Sequence, residues 1–193
     1  MSRLPPRPDL DWTAEGAPRA AAFDDVYFSK RGGLAESEAV FLRGCGLPEA
    51  WANRRQFSIC ELGFGTGLNV LAAWRAWKST GNPDAILHIS TIEAFPLEHT
   101  DAAAALAAFP EVSDLAAQLL AQWPVRARAP QRLWFPDDRF ALTVHIGDVA
   151  ETLAGLRGSF DAWFLDGFAP SRNPAMWSEA IFERIAALSA PGA

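Results

Sequence analysis

ICELGFGTGLNV, residues 59–70, is the stretch that decides the fold. An apolar, partly β-branched approach meets Glu61. Gly63, Gly65 and Gly67 then alternate with Phe64 and Thr66 and lead into a run of helical character. A glycine loop between a strand and a helix lets a ligand approach main chain that no side chain shields. On either side of the loop, FSICEL (57–62) predicts a buried strand and LNVLAAWRAWKS (68–79) a helix, with Leu68, Leu71, Ala72 and Trp74 usable as one face. Gly81-Asn82-Pro83 ends that helix. ILHISTIE (86–93) is the next strand, followed by alanine-rich helices in LEHTDAAAALAAF and VSDLAAQLLAQW, interrupted at Pro110. RLWF and FALTVHIGD (140–148) read as strands, VAETLAGL as a short helix, FDAWFLDGF (160–168) as a strand, and PAMWSEAIFERIAALS (174–189) as a helix with Pro174 in its first turn. Strand and helix alternate from residue 57 onward. The expected fold is therefore α/β, a mostly parallel sheet with helices on both faces.

Upstream, DDVYFS (24–29) suggests a short strand, Gly32-Gly33 a turn and GLAESEAVFLRG a helix. Residues 1–21 hold four prolines with Arg3, Arg7 and Arg19 and little apolar periodicity, so they read as a flexible arm ahead of one domain over 22–193.

The bulk numbers narrow the classes. A chain of 193 residues, 50% hydrophobic and 21% charged, suits a single globular domain. No apolar run approaches the roughly 20 residues of a membrane helix, and the polar, proline-rich start has no signal-peptide core. Two cysteines, Cys45 and Cys60, lack metal-ligand or CxxC spacing. Cys60 reads as a small core residue, and the chain as cytoplasmic, without a metal. A net charge of −6 argues against non-specific grip on nucleic acid. Local basic patches remain: RARAPQRLWFPDDR (126–139) holds four arginines against two aspartates, and Lys30, Arg31, Arg43, Arg54 and Arg55 form another group.

In a doubly wound sheet, ligands sit outside the carboxyl ends of the strands. Four predicted strands end in Glu61 and the glycines, Glu93, Gly147-Asp148 and Asp166-Gly167. The loop is not a dinucleotide fingerprint, because its third glycine comes one residue early and Leu68 stands where glycine is needed. No Gly-Lys-Ser/Thr follows, so it is not a phosphate loop either. Glu61 suits a ligand with an amino group, Glu93 the two hydroxyls of a ribose, and Asp148 an adenine amino group. Ribose, adenine and a cationic amino acid together describe S-adenosylmethionine. A nicotinamide dinucleotide and a purely structural glycine turn are the alternatives. WFLDGFAPSRNPAMW (163–177) is where such a sheet would meet an acceptor. Asp166 could orient an ammonium and accept its proton, or merely cap a turn. Phe168, Met176 and Trp177 could wall a base-sized pocket or pack as core.

ELGFGTGLN, FLDGFAPSRNPAMW and, upstream, FDDVYFSKRGGLAESEAVFL together resemble the methyltransferase domain of the bacterial bifunctional enzymes that make 5-methylaminomethyl-2-thiouridine in tRNA. The resemblance implies a class I, Rossmann-like fold. It also implies methyl transfer from S-adenosylmethionine to the aminomethyl group of the wobble uridine, position 34, in a tRNA anticodon loop. On that footing Glu61, Gly63, Gly65, Gly67, Glu93 and Asp148 bind the cofactor, and Asp166 serves the amine. The SKRGGLAES segment would help close the site, with Glu36 a candidate within it. FAD would enter only through a downstream oxidase domain outside this chain. Val70 and Gln131 depart from the family's usual phenylalanine and histidine. Two other functions compete: a methyltransferase for a small amine, and a non-catalytic adenosine-binding module. Because the sequence stops at Ala190–Ala193, where another strand is expected, it reads as a C-terminally truncated fragment lacking the last strands. Strand 160–165 would then be an open edge, with poor solubility and little turnover expected.

Overall fold

The structure is a computed structural model that describes residues 4–29, 32–79 and 84–193. The predicted helix stop at Gly81-Asn82-Pro83 and the cations Lys30 and Arg31 lie outside those residues. The main sheet has the order β6-β7-β5-β4-β8. Its strands are β4 (Gln56–Leu62), β5 (Ile86–Glu93), β6 (Gln131–Phe135), β7 (Phe140–Ile146) and β8 (Ala162–Leu165). β7, β5, β4 and β8 run parallel, and β6 is antiparallel on the β7 edge. α2 (Leu68–Ser79), α3 (His99–Leu106) and α4 (Ser113–Ala121) follow β4 and β5, while α5 (Val149–Gly155) and α6 (Glu179–Leu188) flank β8 in sequence.

The central strands are apolar on both faces because both are covered, as parallel sheets require. Phe57 and Ile59 of β4, with Leu87 and Ile89 of β5, pack into the larger cluster with Leu71 and Trp74 of α2. Cys60, Leu62 and Ile92 point the other way, against Val149, Leu153, Ile181 and Ile185. Trp74 shows how tight this packing is. It is fully buried, lies 4.3 Å from the Phe135 ring, and donates its indole N–H to Asp138 Oδ2 at 2.8 Å. Trp74→Ala would cost about 3–5 kcal/mol by the usual price of such a cavity.

Residues 4–21, read from the sequence as part of a flexible arm, carry short strands. β1 (Leu10–Trp12), β2 (Pro18–Ala20) and β3 (Asp25–Val26) form a small antiparallel sheet, with Ala17 and Ala20 buried. Strands of two or three residues leave no legible periodicity, so the segment is organised by contacts rather than by pattern. It straps across the carboxyl ends of the main sheet. Arg126 donates to the Pro5 carbonyl at 2.9 Å, Arg7 pairs with Glu98 at 3.2 Å, and Asp24 pairs with Arg172 at 3.0 Å.

Two helices also differ from expectation. The helix predicted over 33–44 is α1 (Gly33–Ser37), continued by a π-helical turn over 38–42 in which the Arg43 N–H reaches the Glu38 carbonyl. The helix predicted over 174–189 breaks at Ser178, which is extended (ψ 154°), so that a 3₁₀ turn over 174–177 precedes α6. The break has a cause: the Trp177 indole N–H is held by the Phe168 carbonyl at 3.0 Å, which draws that turn back onto the loop after β8.

Candidate functional site

A cavity of about 740 Å³ opens at the carboxyl ends of the parallel strands, in the size range of small-molecule sites. Gly63, Gly65, Glu93, Asp148 and Asp166 all line it, as do Asn69, Glu36 and residues 7–9, 22, 23 and 25–29 of the strap. Three of the four strand-end groups read from the sequence thus meet with their side chains on one space.

The glycine loop is shaped by what lies against it. A Cβ on Gly63 would stand 2.3 Å from the Asp166 carbonyl oxygen, so β4 and β8 approach this closely only over glycine. Gly65 has φ 52°, and the Tyr27 ring would be 3.1 Å from any Cβ there. Gly67 faces Leu119 and Phe64 rather than the cavity; its place is structural.

Glu93 is locked by main chain. Its Oε2 accepts the Gly65 N–H at 2.9 Å and its Oε1 the Phe95 N–H at 2.7 Å. Burial pushes its carboxyl above the ordinary range, and these N–H groups oppose that shift. Each carboxylate oxygen can accept a second bond, so both remain available to a pair of vicinal hydroxyls. Asp148 is the N-cap of α5, with Oδ1 accepting from the N–H groups of Ala150 and Glu151 at 2.9 and 3.1 Å. It lines the cavity, with one of its oxygens committed to the helix.

Glu61 lies elsewhere. It is fully buried on the α2 side of the sheet, beneath the cavity and not in its wall. A direct contact with a ligand's amino group, expected from the sequence, does not follow from that position. Neither of its oxygens has a partner at hydrogen-bonding geometry, nor does the hydroxyl of its cross-strand neighbour Thr91. Burial pushes the Glu61 carboxyl up to about 8, outweighing the favourable effect of the nearby Thr91 and Asn69 side chains. At neutral pH it is chiefly the uncharged acid, the cheaper form to bury.

Asp166 directly follows β8 and opens on the cavity. Its Oδ2 accepts from the Asn69 side-chain amide at 2.6 Å. Water reaches the group, yet the surrounding protein still pushes its carboxyl up to about 6; Asn69 opposes this, while Glu36 and Asp25 add to it. Beside it, Phe168 stacks on Phe23 of the strap with centroids 4.6 Å apart, and Tyr27 meets the Phe168 ring edge-on at 5.5 Å. The Ala169 N–H donates to Asp25 Oδ2 at 3.1 Å. Phe168, Met176 and Trp177, which the sequence left as either pocket wall or core, all line the cavity, and Met176 also packs against the smaller core cluster. Sequence reasoning missed Asn69, Phe23 and Tyr27. A polar residue in the otherwise buried first turn of α2 was the available signal for Asn69.

Among the described residues no His/Cys/Asp/Glu group could hold a metal ion, and no single helix is long and apolar enough to cross a membrane. The basic patch divides. Arg126 is occupied with Pro5 and lies 3.9 Å from Glu98, whereas Arg132 projects to solvent from β6.

Comparison with known proteins agrees with this architecture. Residues 110–193 match the family described as S-adenosyl-L-methionine-dependent methyltransferase. The tRNA 5-methylaminomethyl-2-thiouridine biosynthesis bifunctional protein MnmC of Maricaulis maris is 56% identical over 95% of this chain, and that of Caulobacter vibrioides 47% over 100%. The chain spans about a third of the length of these relatives, 32% of each. The solved structure of MNMC2 from Aquifex aeolicus superposes with a TM-score of 0.72, covering 96% of this chain and 57% of that one at 22% identity. The fold is thus the class I, Rossmann-like methyltransferase fold. The similarity to these MnmC relatives extends over nearly the whole chain.

Proposed function

We propose that this chain transfers a methyl group from S-adenosylmethionine to the primary amine of 5-aminomethyl-(2-thio)uridine at wobble position 34 of tRNA, giving 5-methylaminomethyl-(2-thio)uridine, in the cytoplasm. The observation that carries this reading is a single cavity lined by Glu93, the bare main chain of Gly63 and Gly65, and Asp166 with Phe168 and Trp177. The names of the MnmC relatives support the RNA substrate.

The residues fit the cofactor. Glu93 would take the ribose hydroxyls and Asp148 the adenine amino group, while Gly63 and Gly65 let the ligand lie on main chain. Glu61 and Gly67 support this arrangement from outside the cavity wall. The bound cofactor supplies an electrophilic methyl group on a sulfonium. Asp166 would hold the substrate ammonium in line and accept its proton, freeing the nitrogen lone pair. Transfer would form the C–N bond as the C–S bond breaks, leaving a neutral thioether, with the ammonium proton passed to Asp166. Phe168 and Trp177 offer the uracil ring aromatic surface.

The test is nucleoside mass spectrometry. The protein is incubated with methyl-deuterated S-adenosylmethionine and tRNA from a strain lacking the gene. A labelled 5-methylaminomethyl nucleoside is expected. Label on a small amine but none on tRNA would move the reading to small-molecule chemistry, and cofactor binding with no transfer would make the chain a binding module.

A further inference from the structure

We propose that Asn69 is a positioning residue for Asp166: its side-chain amide fixes the orientation of that carboxylate toward the amine and keeps it available as an acceptor. This rests on the methyl-transfer reading above. Asn69 sits in the first turn of α2, two residues after the last loop glycine, and is 5% exposed among Leu68, Val70 and Leu71. Burying an amide costs free energy unless it is hydrogen-bonded. Here the bond goes to Asp166 Oδ2 at 2.6 Å, in the short range of contacts to a charged acceptor. It joins residues 97 apart in sequence, from α2 to the end of β8. Gly63 brings the Asp166 backbone close; Asn69 then aims the side chain, leaving Oδ1 for the amine.

The charged groups around Asp166 explain why a neutral donor serves here. Glu36 of α1 and Asp25 of β3 are acidic and disfavour its ionisation, while Glu61 of β4, whose own carboxyl Asp166 helps to raise, is chiefly uncharged near neutrality. Arg172, on the loop after β8, is paired with Asp24. A lysine or arginine in place of Asn69 would offset that repulsion, but it would also cancel the negative charge that attracts an ammonium and would repel a sulfonium. An amide stabilises the carboxylate without altering the charge of the site.

The test begins with the unmutated 193-residue protein. By NMR, the Asn69 side-chain amide should titrate with the same midpoint as the Asp166 carboxyl, whose ¹³C signal is assigned by its loss in Asp166→Asn. Asn69→Leu removes the donor at similar volume and should move the Asp166 midpoint up by about one pH unit. The acidic limb of kcat/KM should move with it, and kcat near neutrality should fall roughly tenfold at most, with little change in KM for S-adenosylmethionine. Asn69→Gln should restore part of the loss. An Asn69 amide that ignores the Asp166 titration overturns the proposal even if neither Asn69 variant folds, and so does an unchanged midpoint in a folded Asn69→Leu protein. Absence of methyl transfer by the wild type would instead fault the functional reading, leaving the amide titration intact.

Discussion

Glu93 and Asp166 stand on either side of β4, face one cavity, and are held in different ways. Glu93 is gripped by two main-chain N–H groups, Gly65 and Phe95, that no substitution of a side chain removes. Asp166 is aimed by one replaceable amide, lies open to cavity water, and titrates near 6. A group fixed by main chain suits the constant task of holding a ligand. One that can change its protonation near the working pH suits a proton-handling step. Substitutions can break or sharpen that contrast.

The largest effect is expected at Asp166. Asp166→Ala should lower methyl transfer by roughly 10²–10⁴, the usual worth of a positioned acid or base, while cofactor affinity stays within a few-fold. Asp166→Asn keeps the shape but cannot take the proton, and so separates aim from charge. Because the carboxylate is the active form, kcat/KM of the wild type should fall as pH drops through about 6. Full activity in both variants removes Asp166 from the mechanism. A collapse of cofactor affinity would erase the division of labour.

Next comes Glu93→Ala. It deletes the acceptor for ribose and strands the Gly65 and Phe95 N–H groups. Bonds to a charged group are worth roughly 1.5–3 kcal/mol each, so calorimetry should show affinity for S-adenosylmethionine or its demethylated product weakened at least tenfold. Preferential binding of NADH by the wild-type protein would refute the cofactor assignment altogether.

Glu61 should act on stability instead. Burial pushes its carboxyl up to about 8 in the folded chain, against an ordinary value of 4.5. Between those values the native state keeps a proton that the unfolded chain has released. Stability should therefore fall as pH rises through this window, by at most about 1.4 kcal/mol per pH unit. In urea titrations Glu61→Gln should flatten the slope and be the more stable protein near pH 8. A wild-type stability independent of pH across the window would show that Glu61 is ionised in place.

The smallest effect concerns the basic patch, which the fold splits. Arg132→Glu should weaken tRNA binding modestly and lower its salt slope by about 1 per lost contact, with cofactor affinity unchanged. Arg126→Glu should instead loosen the strap at Pro5. Identical tRNA affinity in Arg132→Glu would make that arginine ordinary surface.

What the sequence reveals follows from how each feature is encoded. Parallel strands covered on both faces become continuous apolar runs, so FSICEL, ILHISTIE and FALTVHI were legible, and their last residues marked the cavity. Asn69 was not, because its meaning depends on a partner 97 residues away. Glu61 was legible as a strand-end acid but not as a residue under the cavity, since the side a strand end faces is settled only by packing. The break at Ser178 was hidden because the Trp177 bond that causes it is also tertiary. The strap was invisible for want of length: LDW and PRA are three-residue strands.

That strap has a practical consequence. Pro5 is tied to Arg126, and Arg7, Pro8 and Asp9 already belong to the cavity wall. Anything fused upstream of Met1, such as an affinity handle or a fluorescent protein, would therefore be tethered only a few residues from the binding site. Recombinant protein carrying such a handle should be assayed before and after its removal, with an internal surface-loop label as the comparison.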